Sequence, residues 1–144
     1  MNTKQVGDIG VLAVAKQLAA NGITSAFPIG DSKRYDLLLE WNGMFARAQV
    51  KSRKCNNGTL RIPLYNKSTR NGKVVKKMYH PGEIEAFIIY DASNDSLYIL
   101  PIEMMMRKET IYLRVEPPKN QQSQGILWAV DYENDLENIG WIYK

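Results

Sequence analysis

The chain opens on a stretch of apolar residues at helical spacing, "GDIGVLAVAKQLAANG". Its periodicity predicts a helix from about residue 5 to 20, with Ile9, Leu12, Ala15 or Lys16, and Ala19 as the buried stripe and Asn21-Gly22 closing it. "ITSAFPIGD" then reads as a short strand interrupted at Pro28 and followed by a Gly-Asp turn. The next stretch, "RYDLLLEWNGMFARAQVKSRK", alternates apolar and polar residues on both sides of Asn42-Gly43, the strongest short signal for a hairpin with a type I′ turn. With those two residues as the loop, Trp41 faces Met44, and Asp36 falls opposite Gln49 with β-carbons roughly 5 Å apart. Lys51 lies two residues beyond Gln49, on the same sheet face and diagonal to Asp36. Leu38 and Phe45 share that face, so the polar group is expected to sit beside apolar cover rather than in a uniformly wet field.

Beyond the hairpin, residues 59–65 and 73–79 read as two strands around the polar turn "NKSTRNG", a second hairpin rich in lysine and arginine. "EIEAFIIYD" and "SLYILPIEMMM" follow as apolar strands around "ASND", the first continuous enough to be interior. The three methionines at 104–106 read as gap-filling core. "TIYLRVE" is a further strand and "PPKNQQSQG" a polar loop. Trp128, Tyr132, Trp141 and Tyr143 give the tail enough aromatic weight to pack on its own core or on another subunit.

Composition narrows the class. The 144 residues fit one domain, residues 1–144, able to bury roughly two thirds of the unfolded surface. With 44% hydrophobic and 24% charged residues, and no apolar run near the roughly 20 residues needed to cross a bilayer, no membrane role is expected. The start "MNTKQVGDIG" lacks a signal-peptide pattern. A cytoplasmic protein is therefore expected, with Cys55 reduced and the sequons at Asn57, Asn66 and Asn94 unused. One cysteine and one histidine exclude a Cys/His zinc site and leave no sequence case for a Cys-His nucleophile pair. His80 reads as a surface or packing residue and Cys55 as part of a loop.

Charge changes the picture more. The net charge is +4, yet residues 44–79 hold ten Lys/Arg and no Asp or Glu, leaving nine basic against fifteen acidic residues elsewhere. A one-signed quarter of an otherwise acidic chain fits a surface that tracks phosphates. Arg53, Lys54, Arg61, Tyr65, Lys67, Arg70, Lys73, Lys76 and Lys77 are the candidate DNA-binding residues. The second hairpin would be a basic ribbon of the kind that enters a DNA major groove.

Taken together, "GDIG" on the first helix, "RYDLLLEWNG" and "AQVKSRK" resemble the PD-(D/E)XK nuclease superfamily, and more closely its small branch of intron-encoded homing endonucleases whose signature ends in Gln-x-Lys. The likeness runs on through "GEIEAFIIYDASNDSLYILPIE" and "LRVEPPKNQQSQGILWAVDY". It implies an α/β fold of restriction-endonuclease type: a mixed β-sheet core flanked by helices, with a basic hairpin for DNA contact.

The implied activity is metal-dependent cleavage of an extended duplex DNA site. Asp36 would be the metal-binding carboxylate, Gln49 would stand in the place of the second acidic ligand, and Lys51 would orient water and meet developing phosphate charge. The implied cofactor is Mg²⁺, with Mn²⁺ an alternative, since hard cations prefer oxygen ligands. The implied partners are double-stranded DNA and further copies of the chain, as a dimer or tetramer, and the protein would associate with the nucleoid when bound to DNA.

Relatives commonly carry "GxxGE" on the first helix, and here Val11 occupies the glutamate position. Asp8 lies one turn earlier, about 4.5 Å along the helix axis, and is the candidate replacement ligand. Val11, native or introduced, leaves two readings open. One is an enzyme that cleaves, if slowly; the other is a nuclease-derived protein that binds DNA or RNA without cutting. A Holliday junction resolvase and a restriction endonuclease are the other readings within the nuclease class.

Overall fold

The computed structural model describes residues 1–30, 32–105, 107–121 and 124–133. Helix α1 (Thr3–Ala20) starts two residues earlier than its apolar spacing suggests, because Asn2 and Gln5 form a capping box. The Asn2 side chain accepts the Gln5 N–H, and the Gln5 side chain accepts the Asn2 N–H, both at 2.9 Å. Asn21 caps the far end and Gly22, at φ 76°, turns the chain away.

The buried stripe of α1 differs from the expected one. Gly10, Val14 and Leu18 are buried, with Val11 and Ala15 packed beside them, while Ile9 and Leu12 are 48% and 60% exposed. Lys16 and Ala19 are exposed as well. In a helix this apolar, spacing alone does not choose between adjacent stripes. The choice is made by Gly10, where even a methyl group would come 2.8 Å from the Ser52 Cβ, so the helix lays its slimmest side on the sheet.

Among the described residues ten strands follow: β1 (Thr24–Ala26), β2 (Leu37–Trp41), β3 (Met44–Arg53), β4 (Thr59–Pro63), β5 (Tyr65–Arg70), β6 (Lys73–Met78), β7 (Ala86–Asp91), β8 (Ser96–Pro101), β9 (Thr110–Arg114) and β10 (Leu127–Trp128). The main sheet has the order β1-β2-β3-β7-β8, mixed because β3 and β7 run parallel while its other pairs are antiparallel. β7 is interior, as its unbroken apolar run predicts, and its residues alternate between two cores. Ala86 and Ile88 meet Val14, Leu18, Leu37 and Leu39 on the α1 side. Phe87 and Ile89 meet Leu60, Ile62, Ile111 and Leu113 on the other. Each fully buried leucine, isoleucine, valine or phenylalanine among them contributes about 1.5–3 kcal/mol of hydrophobic stabilisation. Of the helical cover expected on the sheet, α1 lies on one face; the other face is covered by a second, three-stranded sheet of order β10-β9-β4.

The Asn42-Gly43 hairpin has the expected register from Trp41↔Met44 to Leu37↔Ala48, with both turn residues at positive φ (49° and 78°). The second hairpin differs from expectation. It pairs β5 with β6 around the two-residue turn Asn71-Gly72, from Tyr65↔Met78 to Arg70↔Lys73, and stands apart as a two-stranded ribbon. β4, expected on that ribbon, pairs instead with β9, which places Arg61 opposite Tyr112. Asn71-Gly72 is itself a type I′ signal, and it shortens the loop to two residues.

In the tail, Trp128 lies on β10 and Tyr132 packs against the second core, whereas Trp141 and Tyr143 lie outside the described residues. Met105 is buried as a core filler, Met104 is 47% exposed, and Met106 lies outside the described residues.

Candidate active site

Asp36 stands just before β2, where the hairpin ladder ends. Its amide N–H donates to the Ala48 carbonyl at 2.8 Å, and its Oδ2 accepts the Val50 N–H at 3.0 Å. Two backbone contacts to β3 therefore fix this carboxylate. Its pKa is raised, first by burial and further by the charge of Asp8, against the opposing pull of the Val50 N–H and Lys51. Asp36 and Gln49 line one open cleft of about 730 Å³, together with Asp8 and Val11 from α1, Arg34 from the preceding loop and Asn66 from the ribbon. Four residues singled out in the sequence thus meet in one place. The apolar neighbours are less uniform, since Leu38 is half-buried but Phe45 is 61% exposed.

Lys51 points to the expected face of β3 but its amine ends elsewhere. The side chain is buried, and Nζ donates to the Tyr65 carbonyl at 3.2 Å, with the Tyr79 ring centroid 5.5 Å away. No ion pair joins it to Asp36, although each shifts the other's pKa. Burial is the main reason its pKa is pushed down to about 8; Arg53 and Arg34 add to this and Asp36 opposes it. Among the described residues, no three His, Cys, Asp or Glu side chains gather into a metal cage. The Gln49 side chain and the Asp36 Oδ1 take part in no hydrogen bond among the described residues, so both are open to the cleft.

Arg34 is a residue that sequence reasoning missed. Its Nη1 donates to the Met78 carbonyl at 2.5 Å and pairs with Glu83 at 2.6 Å, its Nη2 donates to the Lys77 carbonyl at 2.9 Å, and its guanidinium lies 3.8 Å from the Tyr79 ring centroid. The Tyr79 hydroxyl donates to Asn66 at 2.6 Å. Both feet of the ribbon, Tyr65 and Met78, are therefore tied to cations, Tyr65 to the buried Lys51 and Met78 to Arg34, which lines the cleft. The available signal was "KRYD": counting basic residues from 44 onward leaves Lys33 and Arg34 out.

The basic residues divide by place. Lys67, Arg70, Lys73, Lys76 and Lys77 are exposed on the ribbon, where Lys67 faces Lys76 and Arg70 faces Lys73. Like charges directly opposite one another destabilise a ribbon unless an anion answers them. Lys54 is exposed in the loop after β3, while Arg53 is half-buried with its pKa lowered, first by burial and then by Arg61. Exposed Arg61, off the ribbon on β4, lies beside the hydroxyls of Tyr112 and Tyr65.

A comparison with curated proteins finds no match. Among solved structures, the bacterial homing endonuclease I-Ssp6803I superposes with a TM-score of 0.78 at 24% identity, over 92% of this chain and 89% of that one, a likeness of fold. The family model described as PD-(D/E)XK endonuclease matches residues 1–135. With its strand order, its cleft and a match over nearly all its length, the chain belongs to the PD-(D/E)XK endonuclease family.

Proposed function

We propose that the protein is a DNA endonuclease of the intron-homing type, which binds an extended duplex site and hydrolyses phosphodiester bonds with Mg²⁺ or Mn²⁺, and that Val11 weakens its cleavage. The observation that carries this reading is the meeting of Asp36, Gln49, Asp8 and Val11 in one cleft, with the basic ribbon beside it. The donor set suits a hard cation. Asp36 and the Gln49 amide offer open oxygens, and the repulsion between Asp8 and Asp36 is what a divalent charge relieves. Asp36 and Gln49 would hold the ion, with Asp8 joining through a water. A bound cation would supply Lewis acidity toward the phosphate and acidify water.

The chain's own groups do the rest. Asp36, fixed by Val50 and Ala48, aims its free oxygen without having to reorganise. Lys51, still mostly protonated at neutral pH, would have to leave the Tyr65 carbonyl and swing to the cleft, where it would meet negative charge growing on the phosphate oxygens. Cutting both strands needs two such sites, so the working form would be at least a dimer.

A second reading has an observation of its own. Val11 packs against the core on the α1 side and brings no oxygen to the cleft, as expected of a scaffold that binds without cutting. The deciding experiment first verifies binding to a library of long duplex DNAs in Ca²⁺, then compares cleavage in Mg²⁺ and Mn²⁺ by this protein, Val11→Glu and Lys51→Ala. The endonuclease reading expects Val11→Glu to cut faster than the parent, and Lys51→Ala to lose about 10²-fold or more. Binding without cleavage by both parent and Val11→Glu would replace it with the recognition-protein reading.

A further inference from the structure

The β5–β6 ribbon has two faces that its register separates. One carries Tyr65, Lys67, Thr69, Val74, Lys76 and Met78; the other carries Asn66, Ser68, Arg70, Lys73, Val75 and Lys77. The first face turns back on the body at its foot and through Lys76, while Thr69 and Val74 nearer the tip are exposed. Tyr65 is buried, Lys67 and Lys76 lie 5.9 and 4.8 Å from its ring centroid, and Lys76 reaches Glu109 at 3.5 Å. The second face continues the cleft, because Asn66 belongs to the cleft lining and is held there by the Tyr79 hydroxyl. Arg34 fixes the same foot through the Lys77 and Met78 carbonyls. Arg70 and Lys73 stand directly opposite each other on this second face, and neither they nor Lys77 makes an ion pair among the described residues.

We propose that the Asn66 to Lys77 face is the one that meets duplex DNA, with Arg70, Lys73 and Lys77 on phosphates and the facing pair Ser68 and Val75 on base edges, while Lys67 and Lys76 serve mainly as backing. This rests on the reading that the chain binds DNA and deepens it. Three unanswered cations on a surface continuous with the cleft match a phosphate path. Between them, Ser68 offers a hydroxyl that both donates and accepts, and the exposed Val75 offers methyl groups suited to a thymine methyl. Four residues of strand separate Asn66 from Arg70, about 13 Å. At about 3.4 Å per base pair, the ribbon tip would therefore act roughly four base pairs from the cleft.

The test measures affinity for random-sequence duplex DNA in EDTA across about 50–200 mM salt, where log K falls by about 0.9 per decade of salt for each phosphate contact. Arg70→Gln with Lys73→Gln is expected to weaken binding more than tenfold and to reduce that slope by about 1.8, whereas Lys67→Gln with Lys76→Gln should change it by less than about 0.5. In selection from a duplex library, Ser68→Ala and Val75→Ala should alter the preferred bases, and Thr69→Ala and Val74→Ala should not. Equal losses from both double variants, a larger loss from Lys67 and Lys76, or no loss from either while the parent binds, would overturn the assignment of faces and leave DNA binding standing. A parent that binds no duplex, or binds without salt dependence, would overturn both.

Discussion

Replacing Gly10 by alanine tests how α1 is seated on the sheet that carries the cleft. The new methyl carbon would lie 2.8 Å from the Ser52 Cβ, 3.2 Å from its Oγ and 3.8 Å from its Cα. Carbon atoms rest comfortably at about 3.5–4.0 Å, so helix and strand must part by roughly 0.7 Å, and no rotamer of Ser52 moves its own Cβ. Overpacking of this kind costs about 1–3 kcal/mol, against which alanine returns about 1 kcal/mol of helix propensity. Gly7→Ala is the internal control: one turn earlier on the same helix, its added methyl meets nothing within 4 Å. That variant should gain the propensity alone, about 1 kcal/mol. The difference between the variants isolates the clash, about 1–3 kcal/mol, or roughly 3–10 °C in midpoint. Urea unfolding followed by far-ultraviolet circular dichroism measures it, with an unchanged m-value as the sign that the unfolded state is not involved. Ser52→Gly should recover much of the loss in the Gly10→Ala background, a coupling that a double-mutant cycle reads directly. If Gly10→Ala is as stable as Gly7→Ala, the close approach is not what fixes the helix.

Two further outcomes follow from side chains around the ribbon. Burial raises the Tyr79 pKa from 10.0 to about 12, so its contribution to stability is complete below pH 10 and is lost as pH rises toward 12, by at most about 3 kcal/mol. Denaturation at both ends of that window should show a smaller alkaline loss for Tyr79→Phe than for the parent, and equal losses would count against the burial argument. Arg34→Ala removes charge-assisted hydrogen bonds to two β6 carbonyls and should cost about 3 kcal/mol. Amide hydrogen exchange should accelerate in β6 and not in β7; unchanged β6 protection would show that Arg34 does not hold the ribbon foot.

The signature hairpin was legible because its information is local: Asn42-Gly43 dictates the turn, and alternation with a buried face dictates the register. The strand expected over 73–79 is β6, but Asn71-Gly72 is hidden inside a longer polar turn because β5 is exposed beyond Tyr65, so no apolar alternation marks residues 66–70 as strand. The β4–β9 pairing joins residues far apart in sequence and leaves no local mark. Register put Asp36 beside Gln49, and both line the cleft although the ladder ends at Leu37↔Ala48; Asp8 joined them only through the family resemblance, with helix spacing from Val11. Arg34 could not, since it acts on main-chain carbonyls, which carry no sequence signature. For Lys51 alternation gave the face, but where its amine ends depends on Tyr65, a residue of the ribbon.

The ribbon lies within residues 54–85, the crossover that parallel β3 and β7 need in any case. An element placed there can change length without disturbing the pairs that define the sheet. One residue added to each strand beside Asn71-Gly72 would lengthen its reach by about 3.4 Å. Even doubling the connection would cost only about 0.6 kcal/mol in closure entropy. The fold thereby separates two evolutionary problems: a lineage can retune the reach of the ribbon tip while the cleft, anchored at the ribbon's feet, stays under its own selection.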